Sequence, residues 1–215
     1  MNLPHRPPLL VSVFSDYICP FCYVGDARLQ RLRADYDLKI NWCFLEIHPE
    51  TPATGMPVGK LGYPAQQWRQ MMEQLAVLAA EEGLDFRSRD FTTCSHQVLL
   101  LVEAAREAGA AVFYRLHRRL FEAFFCEGRN IGDVTELRML ARESGLEDAT
   151  VARAWKDARY EQRLMHYRVA ARDLGVQATP TIFFGKRQRL DGVQPWSAFR
   201  EAAAAGFREQ QAAED

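Results

Sequence analysis

The sequence predicts an α/β domain whose small sheet is divided along the chain by a long helical block. Three observations carry that expectation: the chain opens as strand, helix, strand; its middle is a series of amphipathic helices, each closed by a glycine; and it ends as helix, strand, strand, helix.

Leu9, Leu10, Val11, Val13 and Phe14 form a nearly continuous apolar run, as in a strand covered on both faces, and Ser15 and Asp16 end it. Pro20 suits the first turn of a following helix, because its missing N–H would have no intrahelical partner there. Leu29, Leu32 and Tyr36 recur at helical spacing, and Leu38, Ile40, Trp42 and Phe44 then alternate with the period of a strand. From Pro49 to Pro64 the Pro, Gly and Thr content predicts an exit loop.

Trp68, Met71, Met72, Leu75 and Ala79 mark one helix before Gly83, and Val98, Leu101, Val102 and Ala105 a second before Gly109. Phe113, Leu116, Leu120, Phe121 and Phe124 mark a third before Gly128. Asp133, with Glu136 three residues on, announces a fourth that ends at Gly145. Leu164, Tyr167, Ala171 and Leu174 belong to a later helix; Thr181 to Phe184 is a strand, Gly185 to Arg187 a turn and Arg189 to Asp191 a return strand. Pro195 begins a last helix, with the charged tail from Arg208 expected to fray. That order is a thioredoxin-like core, residues 1–62 and 150–207, with an all-helical insertion at 63–149 and a frayed tail at 208–215. Two stretches far apart in sequence must then pack together.

With 27 Lys plus Arg against 28 Asp plus Glu, the chain carries no electrostatic footprint for nucleic acid or an anionic membrane. Arg115 to Arg119 alternates with Leu116 and reads as the solvated side of a helix. No apolar run approaches the roughly 20 residues that span a bilayer, and the start lacks a secretory signal, so a soluble cytoplasmic protein is expected. Five cysteines at irregular spacings do not make a disulfide scaffold, and in a reducing compartment a close pair points to catalysis or metal.

The close pair is Cys19 and Cys22, in Asp16-Tyr17-Ile18-Cys19-Pro20-Phe21-Cys22. Cys19 follows a buried strand and Cys22 comes one helical turn later, so both sulfurs can meet. Unpaired N–H groups and the dipole at the helix opening favour a thiolate on Cys19, with a thiol pKa brought from about 8.5 to about 3.5–7.5 in motifs of this kind. Cys19 is the expected nucleophile and Cys22 the resolving thiol, in a reaction that needs neither metal nor organic cofactor. No second CxxC completes a zinc site, although Cys94 with His96 is a loose candidate. Pro180, directly before a strand in Ala178-Thr179-Pro180-Thr181, sits where a cis peptide can expose backbone toward a thiol.

Cys19-Pro20-Phe21-Cys22-Tyr23-Val24-Gly25, Glu127-Gly128-Arg129-Asn130-Ile131 and Val176-Gln177-Ala178-Thr179-Pro180-Thr181-Ile182-Phe183-Phe184 resemble the DsbA-like oxidoreductases, specifically the FrnE-like branch, over almost the whole chain. The resemblance implies that Pro180 is a cis-proline facing the catalytic pair and that Thr179 tunes redox behaviour and substrate contact, with Pro20 and Phe21 at the substrate surface. Pro20-Phe21 lacks the histidine of the strongly oxidising DsbA, so oxidant strength is not implied. Chromene-carboxylate isomerases and kappa-class glutathione transferases usually carry serine where this chain has Cys19. The expected partners are protein or small-molecule thiols and disulfides, glutathione among them, acted on by a monomer or homodimer. A glutathione-using transferase or isomerase and a zinc-holding interaction module are the alternatives.

Cys43, Cys94 and Cys126 have no partner at a diagnostic spacing and read as structural thiols. His48, near Glu46 and Glu50, reads as a loop residue, and the five histidines as unremarkable. Tyr17 and Tyr23 read as rim and packing groups. Asp16 is a candidate to take the Cys22 proton, though aspartates at strand ends also cap helices. Phe113, Phe121, Phe124 and Phe125 exceed one helical stripe and divide between core filling and a substrate groove, with core preferred.

Overall fold

The computed structural model describes residues 6–87 and 91–214. Strand β1 (Pro8–Ser15), helix α1 (Pro20–Leu32) and strand β2 (Asp37–Phe44) form the opening unit, with β1 and β2 parallel. The exit stretch carries a two-residue strand β3 (Met56–Pro57) and leads to α2 (Ala65–Glu81). β4 (Phe91–Thr92) pairs with β3, and α3 (His96–Ala105), α4 (Ala110–Glu122), α5 (Val134–Glu143) and α6 (Asp148–Ala154) follow. Then come α7 (Ala158–Asp173), β5 (Thr181–Phe184), β6 (Gln188–Asp191) and α8 (Trp196–Glu214). The main sheet has the order β2-β1-β5-β6, with β5 antiparallel to β1 and to β6.

The apolar run of β1 is divided by its pleat. Leu9, Val11 and Val13 join the main core, while Phe14 packs with Cys43 and Ala171 in a smaller cluster that Tyr167 of α7 borders. The pairing of Phe14 with Thr181 is the long-range contact the divided core requires, and it brings the Thr179–Pro180 bond beside the chain leaving β1. Trp42, Phe44, Leu101, Leu120 and Phe121 fill the space between sheet and insertion. α2 is held more lightly: it buries only Leu75, Leu78 and Ala79, and an ion pair ties it down where fully buried Arg28 of α1 meets Glu82 at 3.0 Å.

Some local readings change. Asp133 caps α5 through Thr135 N–H (2.7 Å), but Glu136 does not close the box, because it pairs with Arg129 at 2.7 Å. α4 runs on into a π-helical turn, Ala123–Glu127. α8 continues to Glu214, past the Arg208 where fraying is expected, because Gln210 Nε2 donates to the Leu10 carbonyl and Glu209 accepts from Arg187 N–H. Among the described residues no helix is long and apolar enough to cross a membrane.

Candidate active site

The chain leaving β1 folds tightly into α1. Cys19 N–H donates to the Asp16 carbonyl (3.2 Å) and Cys22 N–H to the Cys19 carbonyl (3.0 Å). Cys19 is thus the N-cap of α1 in an extended conformation (φ −87°, ψ 112°), with Pro20 opening the helix. Neither cysteine is in a disulfide. Both are buried, but Cys19 lines a cavity of about 1590 Å³ and Cys22 lies behind it. Pro20, Phe21 and Thr179 also line that cavity, facing Trp68, Met71 and Met72 of α2.

The two thiols are pulled in opposite directions. The Cys19 pKa is lowered, first by the hydrogen bond from the Cys22 thiol; burial opposes this, and the Thr179 side chain and the Cys22 N–H add pulls in the same sense. The helix-end N–H groups, expected from sequence to dominate, come later because the Cys22 N–H already has the Cys19 carbonyl as its partner. The Cys22 pKa is raised well above the ordinary thiol value, first by burial and then by its donation to Cys19; the Ser15 hydroxyl and the Asp16 N–H, 3.5 Å from Cys22 Sγ, work against the rise.

The Thr179–Pro180 bond is cis, and the Thr179 carbonyl accepts from the Cys19 thiol at 3.3 Å. Pro180 itself is buried against α1, and of the pair only Thr179 lines the cavity. Gly25 permits that approach: a Cβ on it would lie 3.2 Å from Pro180 Cγ.

Asp16 is fully buried at the meeting of three segments. Its carboxylate accepts from Ile47 N–H (2.9 Å), Ser95 Oγ (2.9 Å) and Ile18 N–H (3.4 Å), and burial nevertheless pushes its pKa up to about 7. Cys94 does not turn to Cys19 and Cys22. Its thiol donates to Glu46 Oε1 (3.4 Å), and the other Glu46 oxygen is 3.3 Å from His96 Nδ1. Among the described residues no three His, Cys, Asp or Glu side chains are grouped to hold a metal. Burial pushes Cys43 up to about 11, Cys126 Sγ lies 3.8 Å from the Tyr23 hydroxyl, and His48 faces Glu50 at 3.6 Å.

Phe124 and Phe125 are both buried and cavity-lining, while Phe113 and Phe121 serve the core alone. Sequence reasoning passes over His117. It is buried, with Nδ1 2.5 Å from the Tyr17 hydroxyl and Nε2 3.4 Å from Asp26 Oδ1, so Tyr17 belongs to the interior and not to a rim. The signal was present: His117 stands four residues from both Phe113 and Phe121, on the buried stripe of α4.

Residues 10–204 match the model of the DSBA-like thioredoxin domain. The chain belongs to the DsbA-like thioredoxin-domain family. As a member, it is a thiol-disulfide oxidoreductase. The chain is 29% identical over 209 residues to YwbO of Bacillus subtilis (strain 168), an uncharacterized protein, covering 94% of this chain and 96% of YwbO. Its fold is similar to that of a probable DsbA oxidoreductase from Streptomyces coelicolor (TM-score 0.82, 26% identity, 94% of this chain and 91% of that one). The cytosolic disulfide reductase DsbM of Pseudomonas aeruginosa shares the fold at 19% identity (TM-score 0.64, 95% and 98% covered). This DsbA-like chain therefore places Cys19 and Cys22 where its sheet, first helix and cis-proline loop meet.

Proposed function

We propose that this DsbA-like protein exchanges disulfides with protein or small-thiol substrates, with Cys19 attacking and Cys22 resolving. The observation that carries the reading is the opposed pair of pKa shifts: the thiol that lines the cavity is eased toward its anion, and the one behind it is held protonated and donates to the first. The Cys19 thiolate attacks a substrate disulfide, whose S–S bond breaks, and one substrate sulfur leaves with the electron pair. Cys22 passes its proton to the Asp16 carboxylate and attacks Cys19 Sγ, and the second substrate sulfur leaves as thiolate. The cell can use the same steps in reverse as an oxidation. Thr179 and Pro180 shape the surface that receives the substrate, with Pro20 and Phe21 at its edge.

Glutathione is one fitting small thiol, since Arg168 and Arg172 line the cavity and suit its carboxylates. The FrnE-like branch is supported by Glu127 to Ile131, where Asn130 Nδ2 donates to the Ala53 carbonyl (2.9 Å) and ties the segment to the core loop. A cytoplasmic setting, where both thiols stay reduced until a substrate arrives, completes the reading. Insulin reduction by dithiothreitol, catalysed by the purified protein, tests it. Turnover is expected from the wild type and background rates from Cys19→Ser; an inactive wild type that conjugates glutathione to an electrophile would replace this reading with a transferase.

A further inference from the structure

The Cys22 thiol must ionise before it can attack, yet burial opposes the anion, so its surroundings have to supply donors. Two lie on the last turn of chain before the motif. One is the Asp16 N–H, 3.5 Å from Cys22 Sγ. The other is the hydroxyl of Ser15, whose residue is 1% exposed at the end of β1. The pleat places Ser15 in phase with Leu9, Val11 and Val13, on the side of the sheet that α1 covers, whereas Phe14 faces α7.

Ser15 Oγ is buried and completes no hydrogen bond among the described residues, although it acts on Cys22 in the sense that favours the anion. A buried hydroxyl without a partner costs stability, and an acceptor that forms beside it recovers that cost. The thiolate of Cys22 is an acceptor for that hydroxyl, stronger than the thiol that Cys22 holds at rest.

We propose that Ser15 is a donor to the reacting sulfur of Cys22: its hydroxyl, unpaired at rest, closes a hydrogen bond on the Cys22 thiolate during the resolving step. This deepens the disulfide-exchange reading and rests on it. In the step concerned, the Cys22 proton goes to the Asp16 carboxylate, the Ser15 and Asp16 donors hold the anion, and the Cys22 sulfur forms its bond to Cys19 Sγ. The mixed disulfide between Cys19 and the substrate breaks, and the substrate sulfur departs with the electron pair. The Ser15 proton is not transferred. Ser15 therefore bears on the second half of the reaction and leaves the first attack untouched.

One equivalent of 5,5′-dithiobis(2-nitrobenzoate) separates the two halves. The first thionitrobenzoate is released when Cys19 attacks, and the second when Cys22 resolves the adduct. Ser15→Ala is expected to keep the first phase at the wild-type rate and slow the second roughly 10-fold near neutral pH, the worth of one hydrogen bond to a charged group. The pH at which the second phase reaches half its maximum should also move upward. Because the lost hydroxyl has no partner at rest, the melting temperature should hold or rise, which a structural role does not predict. A second phase unchanged in rate and pH profile would overturn the proposal, as would a slowed first phase accompanied by a lower melting temperature. Failure of the first phase in the wild type would instead sink the assignment of Cys19 as nucleophile.

Discussion

Cys19 and Cys22 are three residues apart, both buried, and held by the same helical turn, yet their surroundings drive them apart chemically. Cys19 sits at the helix opening against the cavity, with a thiol donor beside it. Cys22 sits one turn deeper, where burial raises its pKa and, among the described residues, Ser15 and the Asp16 N–H work against the rise. Burial alone raises both thiols, so the difference comes from hydrogen bonds, and the largest runs from one cysteine to the other. On the proposed assignment the resolving thiol thus also activates the attacking one. A lone cysteine at the same helix end would keep only the weaker help of Thr179, the N–H groups and the dipole.

The sharpest break of that comparison is to remove one side. Cys22→Ser should leave Cys19 able to attack but unable to release its partner. Turnover is expected to fall by roughly a thousandfold or more, with a Cys19-linked adduct seen by mass spectrometry of the trapped protein. An adduct on Cys43, Cys94 or Cys126 instead would reassign the nucleophile.

Asp16→Asn removes the proposed proton acceptor and should slow the resolving phase about a hundredfold while the first phase persists. It also has a stability signature. Because the folded carboxyl titrates at about 7 and the free one near 3.8, the folded state holds a proton that the unfolded chain has lost throughout that interval. Stability from this group is fully present below pH 3.8 and lost as pH rises through about 7, in all roughly 4 kcal/mol. Denaturant unfolding of wild type and Asp16→Asn across that range should show the wild type weakening with rising pH relative to the variant; parallel curves would place the Asp16 pKa elsewhere.

A smaller effect is expected at the far side of Cys19. Gly25→Val presses on Pro180 and shifts the Thr179 carbonyl that faces the thiol. Overpacking of this kind costs about 1–3 kcal/mol, and the substrate KM should rise several-fold with Cys19 alkylation little changed. Unaltered kinetics would mean that the cis-proline loop yields without consequence.

Much of this arrangement was legible in the residues. A continuous apolar run located β1, helical spacing located α1 although Tyr36 lies beyond its end at Leu32, period-2 alternation located β2, and Pro20 and Pro180 marked the two points where backbone meets the thiols. What escaped depends on contacts between distant segments. The pleat position of Ser15 relative to Cys22 follows from α1 packing, and the burial of Asp16 follows from Ile47 and Ser95 closing over it. Glu136 looked like half of a capping box until Arg129 claimed it, and the tail from Arg208 looked free until Gln210 met β1. α6 and the two-residue strands β3 and β4 are too short for periodicity to announce.

Whether Cys22 activates Cys19 is read most directly from the pH dependence of Cys19 alkylation by iodoacetamide in the wild type and in Cys22→Ala. Cys19 should react as a thiol ionising below the ordinary value, and loss of the Cys22 donor should move its titration upward more than any other single change. A Cys19 that titrates like an ordinary thiol, or one whose titration ignores Cys22→Ala, would rule out activation of Cys19 by Cys22.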